Sequence, residues 1–197
     1  MTTTAPSDMG LSLWLVPSPD ERDRLQPVLD RLAKDANGPA FQAHITLVSV
    51  PNSTPLPFPS LNLDKFNPMA LKCLQVQAGQ TYFQSVLIAV DLSPELQSLH
   101  DSVRDALNRP LPSGSSYFPH LSLFYGGESQ EFKESLVQQL YQDGTAVAAY
   151  GDTGVAVAGV SEIHVQEVWL LRTEGPPEEW GILEKWRLGP NGDQSVN

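Results

Sequence analysis

Apolar and polar residues alternate along Leu11-Ser-Leu-Trp-Leu-Val16, the period of a strand with one face in a core. Ser18-Pro19 then changes the rhythm. Leu25, Val28, Leu29 and Leu32 recur at helical spacing up to Asp35. Serine caps helices and proline is tolerated at the first helical position, so a helix over 19–35 is predicted, ended by Gly38-Pro39. Pro27 lies inside this run and would kink the helix or shift its start. A β-prone run follows from Phe41 to Val50. The succession then repeats. Val86-Leu-Ile-Ala-Val90 reads as a strand, Ser93-Pro94 opens a helix marked by Leu96, Leu99, Val103, Ala106 and Leu107, and Tyr117 to Tyr125 is again β-prone.

Between the two units, four prolines in 51–59 mark a surface connector, and 61–66 suits a short helical turn. Ala70–Ala78 and Tyr82–Val90 read as a hairpin about Gly79-Gln80. Beyond them a third helix is predicted over 131–142, and 145–160 is rich in Ala, Val and Gly with turns at 151–154. A long strand spans 162–172, and 180–186 is a short helix or a last strand. Residues 1–8 and 189–197 read as loose ends.

The repeated unit ends each time in the same chemistry. His44-Ile-Thr46-Leu and His120-Leu-Ser122-Leu each place an imidazole and a hydroxyl two residues apart. On a strand these share a face, while Ile45, Leu47, Leu121 and Leu123 point to the other. From the capping serine to the histidine is 26 residues in one unit and 27 in the other. The repeats, about 11–50 and 83–125, predict one bilobal α+β domain over 1–197. Its two pseudo-symmetric lobes have antiparallel sheets flanked by helices, and the histidines meet in the central cleft.

Composition narrows the partners. A formal net charge of −11 with a pI near 4.6 disfavours a long nucleic acid, whose backbone needs a basic surface. Cys73 is the only cysteine, so no disulfide forms within the chain. No stretch approaches the roughly 20 apolar residues of a membrane span. A soluble intracellular monomer is expected, cytoplasmic or peripherally attached to an organelle such as the Golgi.

Two imidazoles across a cleft suit a reaction that needs an acid and a base near neutrality. With a hydroxyl beside each, they make a receptor for a tetrahedral anion. Hydrolysis of a phosphodiester without metal or cofactor is the chemistry this implies. Two imidazoles lack a third ligand for zinc. No Gly-x-Ser-x-Gly elbow, Gly-x-Gly-x-x-Gly or P-loop is present. His100 lies in the predicted second helix and His164 in a late strand with no hydroxyl two residues on, and both read as structural or surface groups. Trp14 and Phe83 are candidates for lining the cleft or for the core, and Arg104 or Arg109 for contacting phosphate or for solvent.

Leu13-Trp-Leu-Val-Pro17, the region from Pro39 to Thr46 and above all Phe118-Pro-His-Leu-Ser-Leu-Phe-Tyr-Gly126 resemble the two-histidine phosphoesterase superfamily. Within it the chain is most similar to the fungal and plant cyclic phosphodiesterases. The resemblance implies catalytic roles for His44 and His120, phosphate contacts from Thr46 and Ser122, and Tyr125 flanking the substrate. The implied partner is a small cyclic phosphate nucleotide. The implied reactions open ADP-ribose 1″,2″-cyclic phosphate to the 1″-phosphate, after tRNA splicing, and nucleoside 2′,3′-cyclic phosphates to 2′-phosphates. Two alternatives stay open: an RNA-end enzyme (2′–5′ ligase-like, or trimming oligonucleotides) and a non-catalytic nucleotide-binding module.

Overall fold

The computed structural model describes residues 10–149 and 154–190. The expected loose start, the turn at 151–153 and residues 191–197 of the expected loose end lie outside that range. Strands β1 (Leu11–Pro17) and β2 (Ile45–Val50) flank helix α1 (Pro19–Asp35). Strands β3 (Met69–Ala78) and β4 (Val86–Val90) form the hairpin, and α2 (Pro94–Ala106) leads to β5 (His120–Phe124). Helix α3 (Gln130–Gln142), the small hairpin of β6 (Ala146–Ala148) and β7 (Val155–Val157), β8 (Glu162–Arg172) and β9 (Gly181–Arg187) complete the described chain. The stretch beginning at Trp180 is thus a strand. Gly189 is held as well, its N–H donating to the Leu63 carbonyl at 3.3 Å.

Helix starts follow the serine signals. Ser93 Oγ accepts from Leu96 N at 3.2 Å, and Ser18 N donates to Glu21 Oε2 at 3.0 Å. Pro19 and Pro94 take the first helical positions. α1 runs through Pro27 unbroken, its Leu25, Val28, Leu29 and Leu32 all buried. Among the described residues no helix is long and apolar enough to cross a membrane.

The seven-stranded sheet is antiparallel throughout, in the order β1-β2-β5-β4-β3-β8-β9, and β1 also pairs with β8. The pairings therefore close into a ring. β8 is long enough to serve both halves: Glu162–Val165 pairs with β3, and Val165–Arg172 pairs with β1 on one side and, from Glu167, with β9 on the other. The two repeats meet at a single pair, Ile45 with Leu121. These are equivalent positions of the two motifs. An antiparallel contact between equivalents is what a pseudo-twofold axis requires. Continuing that register sets His44 across from Ser122 and Thr46 across from His120.

The symmetry extends to the irregularities. Between β1 and β2 the pairing skips Leu47, and between β4 and β5 it skips Leu123, the equivalent leucine. Such a bulge reverses the alternation of the residues beyond it. Plain alternation would turn Tyr125 away from His120 and Ser122, but the bulge at Leu123 brings it to their face. Ser49 reaches the same face of β2 in the same way.

One apolar cluster, including Leu13, Leu29, Ile45, Leu99, Leu121 and Ile163, runs through both halves. Trp14, Val16, Trp169 and Leu171 form a second cluster from the other face of β1 and β8. Hence every residue of β1 is buried, including the phase that reads as polar-facing.

The strand expected from Tyr82 starts later. Tyr82–Gln84 is a 3₁₀ turn and β4 begins at Val86. Gln84 N donates to Thr81 O at 3.1 Å and Gly79 N to Ser85 O at 2.9 Å, closing the chain on itself. A Cβ on Gly79 would fall 1.8 Å from the Gln84 carbonyl oxygen, so only glycine fits there.

Candidate active site

Both histidines are presented by the same device. His44 Nδ1 lies 2.6 Å from the Gln42 carbonyl, and His120 Nδ1 lies 2.9 Å from the Phe118 carbonyl. In each repeat the ring nitrogen meets the backbone oxygen two residues earlier. A carbonyl only accepts, so Nδ1 carries hydrogen and Nε2 is left with its lone pair when the ring is neutral. Both rings line one cavity of about 480 Å³.

Their surroundings differ. His44 is buried against Trp14, whose indole stacks on it at 3.5 Å between centroids and 7° between planes. Trp14 Nε1 donates to Ser12 Oγ at 2.9 Å, which orients the indole. The Tyr125 hydroxyl lies 3.4 Å from His44 Nε2. Burial first, opposed by the Gln42 carbonyl and reinforced by nearby His120, lowers the His44 pKa to about 3. His120 is more open and stacks on exposed Phe118 at 5.4 Å; burial lowers its pKa too, against the Phe118 carbonyl. Burial pushes the Tyr125 phenol up, so it stays a donor.

The remaining candidates divide. Thr46, Tyr125, Trp14 and Phe83 all line the cavity. Among the described residues nothing claims the Thr46 hydroxyl, while its backbone carbonyl accepts from Tyr117 at 2.9 Å. Ser122 does not reach the wall. It is buried on β5, and its Oγ donates to the Phe83 carbonyl at 2.8 Å. A hydroxyl has one proton to give, so Ser122 contacts an anion only after leaving Phe83. Trp14 does not offer a free face to a nucleobase where His44 covers it; its aromatic ring supports the imidazole.

Arg104 and Arg109 are not on the cavity wall. His100 is structural, stacked on Tyr117 at 4.0 Å, and His164 Nδ1 lies 2.6 Å from Glu21 Oε1 beside the start of α1. Among the described residues no group of three His, Cys, Asp or Glu side chains converges as metal ligands would.

Periodicity does not reveal Trp180, Tyr82, Thr81, Gln84 or Thr173, yet all line the cavity. Trp180 ends the 3₁₀ turn Pro177–Glu179 and lies 5.8 Å from Trp14 and 6.0 Å from Phe83 between ring centroids. Its signal in the sequence is a large aromatic directly after a proline- and glycine-rich loop.

The buried histidines predict acid sensitivity. A histidine whose folded-state pKa lies below its unfolded value favours folding above about pH 6.5, and that contribution is lost as pH falls. For His44 the window runs from about 6.5 down to about 3, at about 1.4 kcal/mol per pH unit. Denaturant unfolding measured between pH 7.5 and 4.5 is expected to show this slope, and His44→Gln to flatten it. An unchanged slope in the variant would contradict the assignment.

Among solved structures the fold is similar to apo LigT of E. coli, with a TM-score of 0.55, 15% identity, and coverage of 93% of this chain and 99% of that one. It is equally similar to the TT0787 protein of Thermus thermophilus, with a TM-score of 0.55, 15% identity, and coverage of 94% and 100%. The family model that the chain matches, together with this fold, defines the class, a two-histidine phosphoesterase. The model of the "Cyclic phosphodiesterase-like protein" family matches residues 9–188, and the chain belongs to that family. A cyclic phosphodiesterase of Arabidopsis thaliana is 23% identical over 134 residues, 66% of this chain and 72% of that protein.

Proposed function

We propose that the chain hydrolyses cyclic phosphodiesters with His44 as general base and His120 as general acid. The substrates are nucleoside 2′,3′-cyclic phosphates, opened to 2′-phosphates, and by the same chemistry ADP-ribose 1″,2″-cyclic phosphate, opened to the 1″-phosphate after tRNA splicing. The observation that carries the reading is the matched pair of Nδ1-to-carbonyl contacts, which keeps both Nε2 atoms clear of the backbone on rings that line one cavity. Membership of the family and the relative in Arabidopsis support it. LigT of E. coli has been solved with phosphate and with 3′-AMP, at TM-scores of 0.51 and 0.52 to this chain.

The roles follow from burial. Burial depresses His44 to about 3 and His120 less far, so on lowering the pH the first proton taken up goes to the pair's less buried ring. That proton resides on the less desolvated ring, His120. Neutral His44 takes a proton from water at Nε2 as the water oxygen attacks phosphorus. Tyr125 gives up its contact with Nε2 and donates to the phosphoryl oxygens instead, alongside Thr46. For a 2′,3′-cyclic phosphate the P–O3′ bond breaks, and His120 gives its proton to the departing O3′. The product is a 2′-phosphate and a free 3′-hydroxyl. Proton exchange with solvent then restores the pair. Charge that develops on the phosphoryl oxygens is met by these donors, the usual source of much of the rate. Ser122 strengthens this set by turning from the Phe83 carbonyl.

Phosphorus NMR of adenosine 2′,3′-cyclic phosphate incubated with the purified protein tests the reading. The 2′-phosphate is expected to form, with the rate unchanged in excess chelator. No turnover, a 3′-phosphate product, or a loss restored by added metal would each refute it.

A further inference from the structure

The cleft wall offers imidazoles, hydroxyls and aromatic rings. Among the described residues it carries no lysine or arginine. All twelve of the chain's Lys and Arg fall within those residues. Several are engaged elsewhere: Arg24 with Asp20, Arg31 with Asp143, Arg172 with Asn52 and Glu174, and Arg22 and Lys185 over the Trp169 ring.

Carboxylates stand beside the cleft instead. A second hollow of about 300 Å³ shares Trp14 and Trp180 with the cleft, and its wall includes Asp30 and Glu178. Glu128 follows closely on Gly126, whose N–H donates to the carbonyl of Tyr82 on the cleft wall at 3.1 Å, and the Tyr82 phenol is pushed up by burial and then by Glu178 and Glu128. Both glutamates are exposed, and the whole chain carries −11.

A cyclic phosphodiester bears one negative charge, which a protonated imidazole and a few hydroxyls can meet. Every further phosphate adds charge with no cation to receive it and carboxylates close by, and like charges repel most where water is partly excluded. We propose that this cleft selects cyclic phosphates whose ring phosphate is their only charged group, and that Glu178 and Glu128 set the discrimination against ligands bearing another phosphate or a diphosphate. The proposal rests on the cyclic phosphodiesterase reading for where the ring phosphate sits. It ranks the two substrate classes: nucleoside 2′,3′-cyclic phosphates come first, and ADP-ribose cyclic phosphate, with its diphosphate, comes well behind.

Calorimetric titration of the full chain with adenosine 2′-phosphate and with adenosine 2′,5′-bisphosphate tests this without depending on turnover. The bisphosphate is expected to bind at least about fivefold more weakly at low salt. The gap should shrink below about twofold near 0.5 M salt, where the screening length is only a few ångström. The double variant E128Q/E178Q should narrow the gap at low salt to about twofold, with the affinity for the monophosphate held. Equal or tighter binding of the bisphosphate, binding of neither, or a gap that ignores both salt and the double variant would overturn the proposal. Turnover of adenosine 2′,3′-cyclic phosphate in the same preparation separates the two readings. Discrimination without turnover leaves the selectivity standing and sinks the catalytic reading; turnover without discrimination does the reverse.

Discussion

Replacing His44 or His120 with glutamine is expected to lower kcat at least about 100-fold, the low end for loss of a general acid or base. Glutamine keeps a polar, planar group of similar reach, so the loss reports proton transfer more than shape. The two variants should differ in pH dependence. In the unaltered protein the base His44 is neutral above about pH 3, so it leaves the rate level through the neutral range. The acid His120 titrates below the usual histidine value. As pH rises through that value the acid form is lost, and kcat/KM should fall about tenfold per pH unit above it. His120→Gln should remove this fall along with most of the rate. His44→Gln should keep the fall on a much lower rate. Steady-state kinetics from pH 5 to 9 would show both. A variant of either histidine with full activity, or a rate that climbs from pH 6 to 8, would break the assignment of roles.

The second large effect is expected at Trp14. The side chain is 2% exposed, and His44 lies flat on its indole. Truncating a buried tryptophan to alanine typically costs about 3–5 kcal/mol. Because Trp14 already borders open space in the cleft, the low end applies here. A chain of this size loses about 2–4 °C of Tm per kcal/mol, so W14A should melt roughly 10 °C lower. It should also free the His44 ring to tilt, which lowers kcat more than it raises KM. Trp14→Phe keeps a flat surface under the imidazole but loses the bond to Ser12 Oγ. It should recover most of the stability and of kcat. If W14A matched the parent in kcat once kept cold enough to stay folded, Trp14 would be packing only and have no part in positioning His44.

Much of the frame could be read along the chain. Ser18-Pro19 and Ser93-Pro94 open helices because a serine oxygen and a proline ring suit those two positions, whatever surrounds them. The two His-x-hydroxyl motifs stand on equivalent strands because alternation is a local property of extended backbone. Other features depended on neighbours remote in sequence. Tyr82–Gln84 is apolar and β-prone in part, yet it curls into a 3₁₀ turn tied to β5 through Ser122 Oγ to Phe83 O and to the residues just past it through Gly126 N to Tyr82 O. Trp180 reaches the cleft from a loop more than fifty residues past His120. No periodicity announces a residue placed by a loop.

By itself the sequence determined that two like units exist, that each ends with an imidazole and a hydroxyl on one strand face, and that the chain is acidic. Helix caps and strand alternation act over a few residues, and charge is a sum, so none of these needs the fold. The tertiary structure alone decided that Ile45 meets Leu121, which brings the two faces into one cleft. It also decided which ring is more deeply desolvated, that Ser122 is covered and held by the Phe83 carbonyl, and that Tyr125 faces the histidines past the bulge at Leu123. Each of these is set by strand register and burial, and both arise only when distant segments pack together.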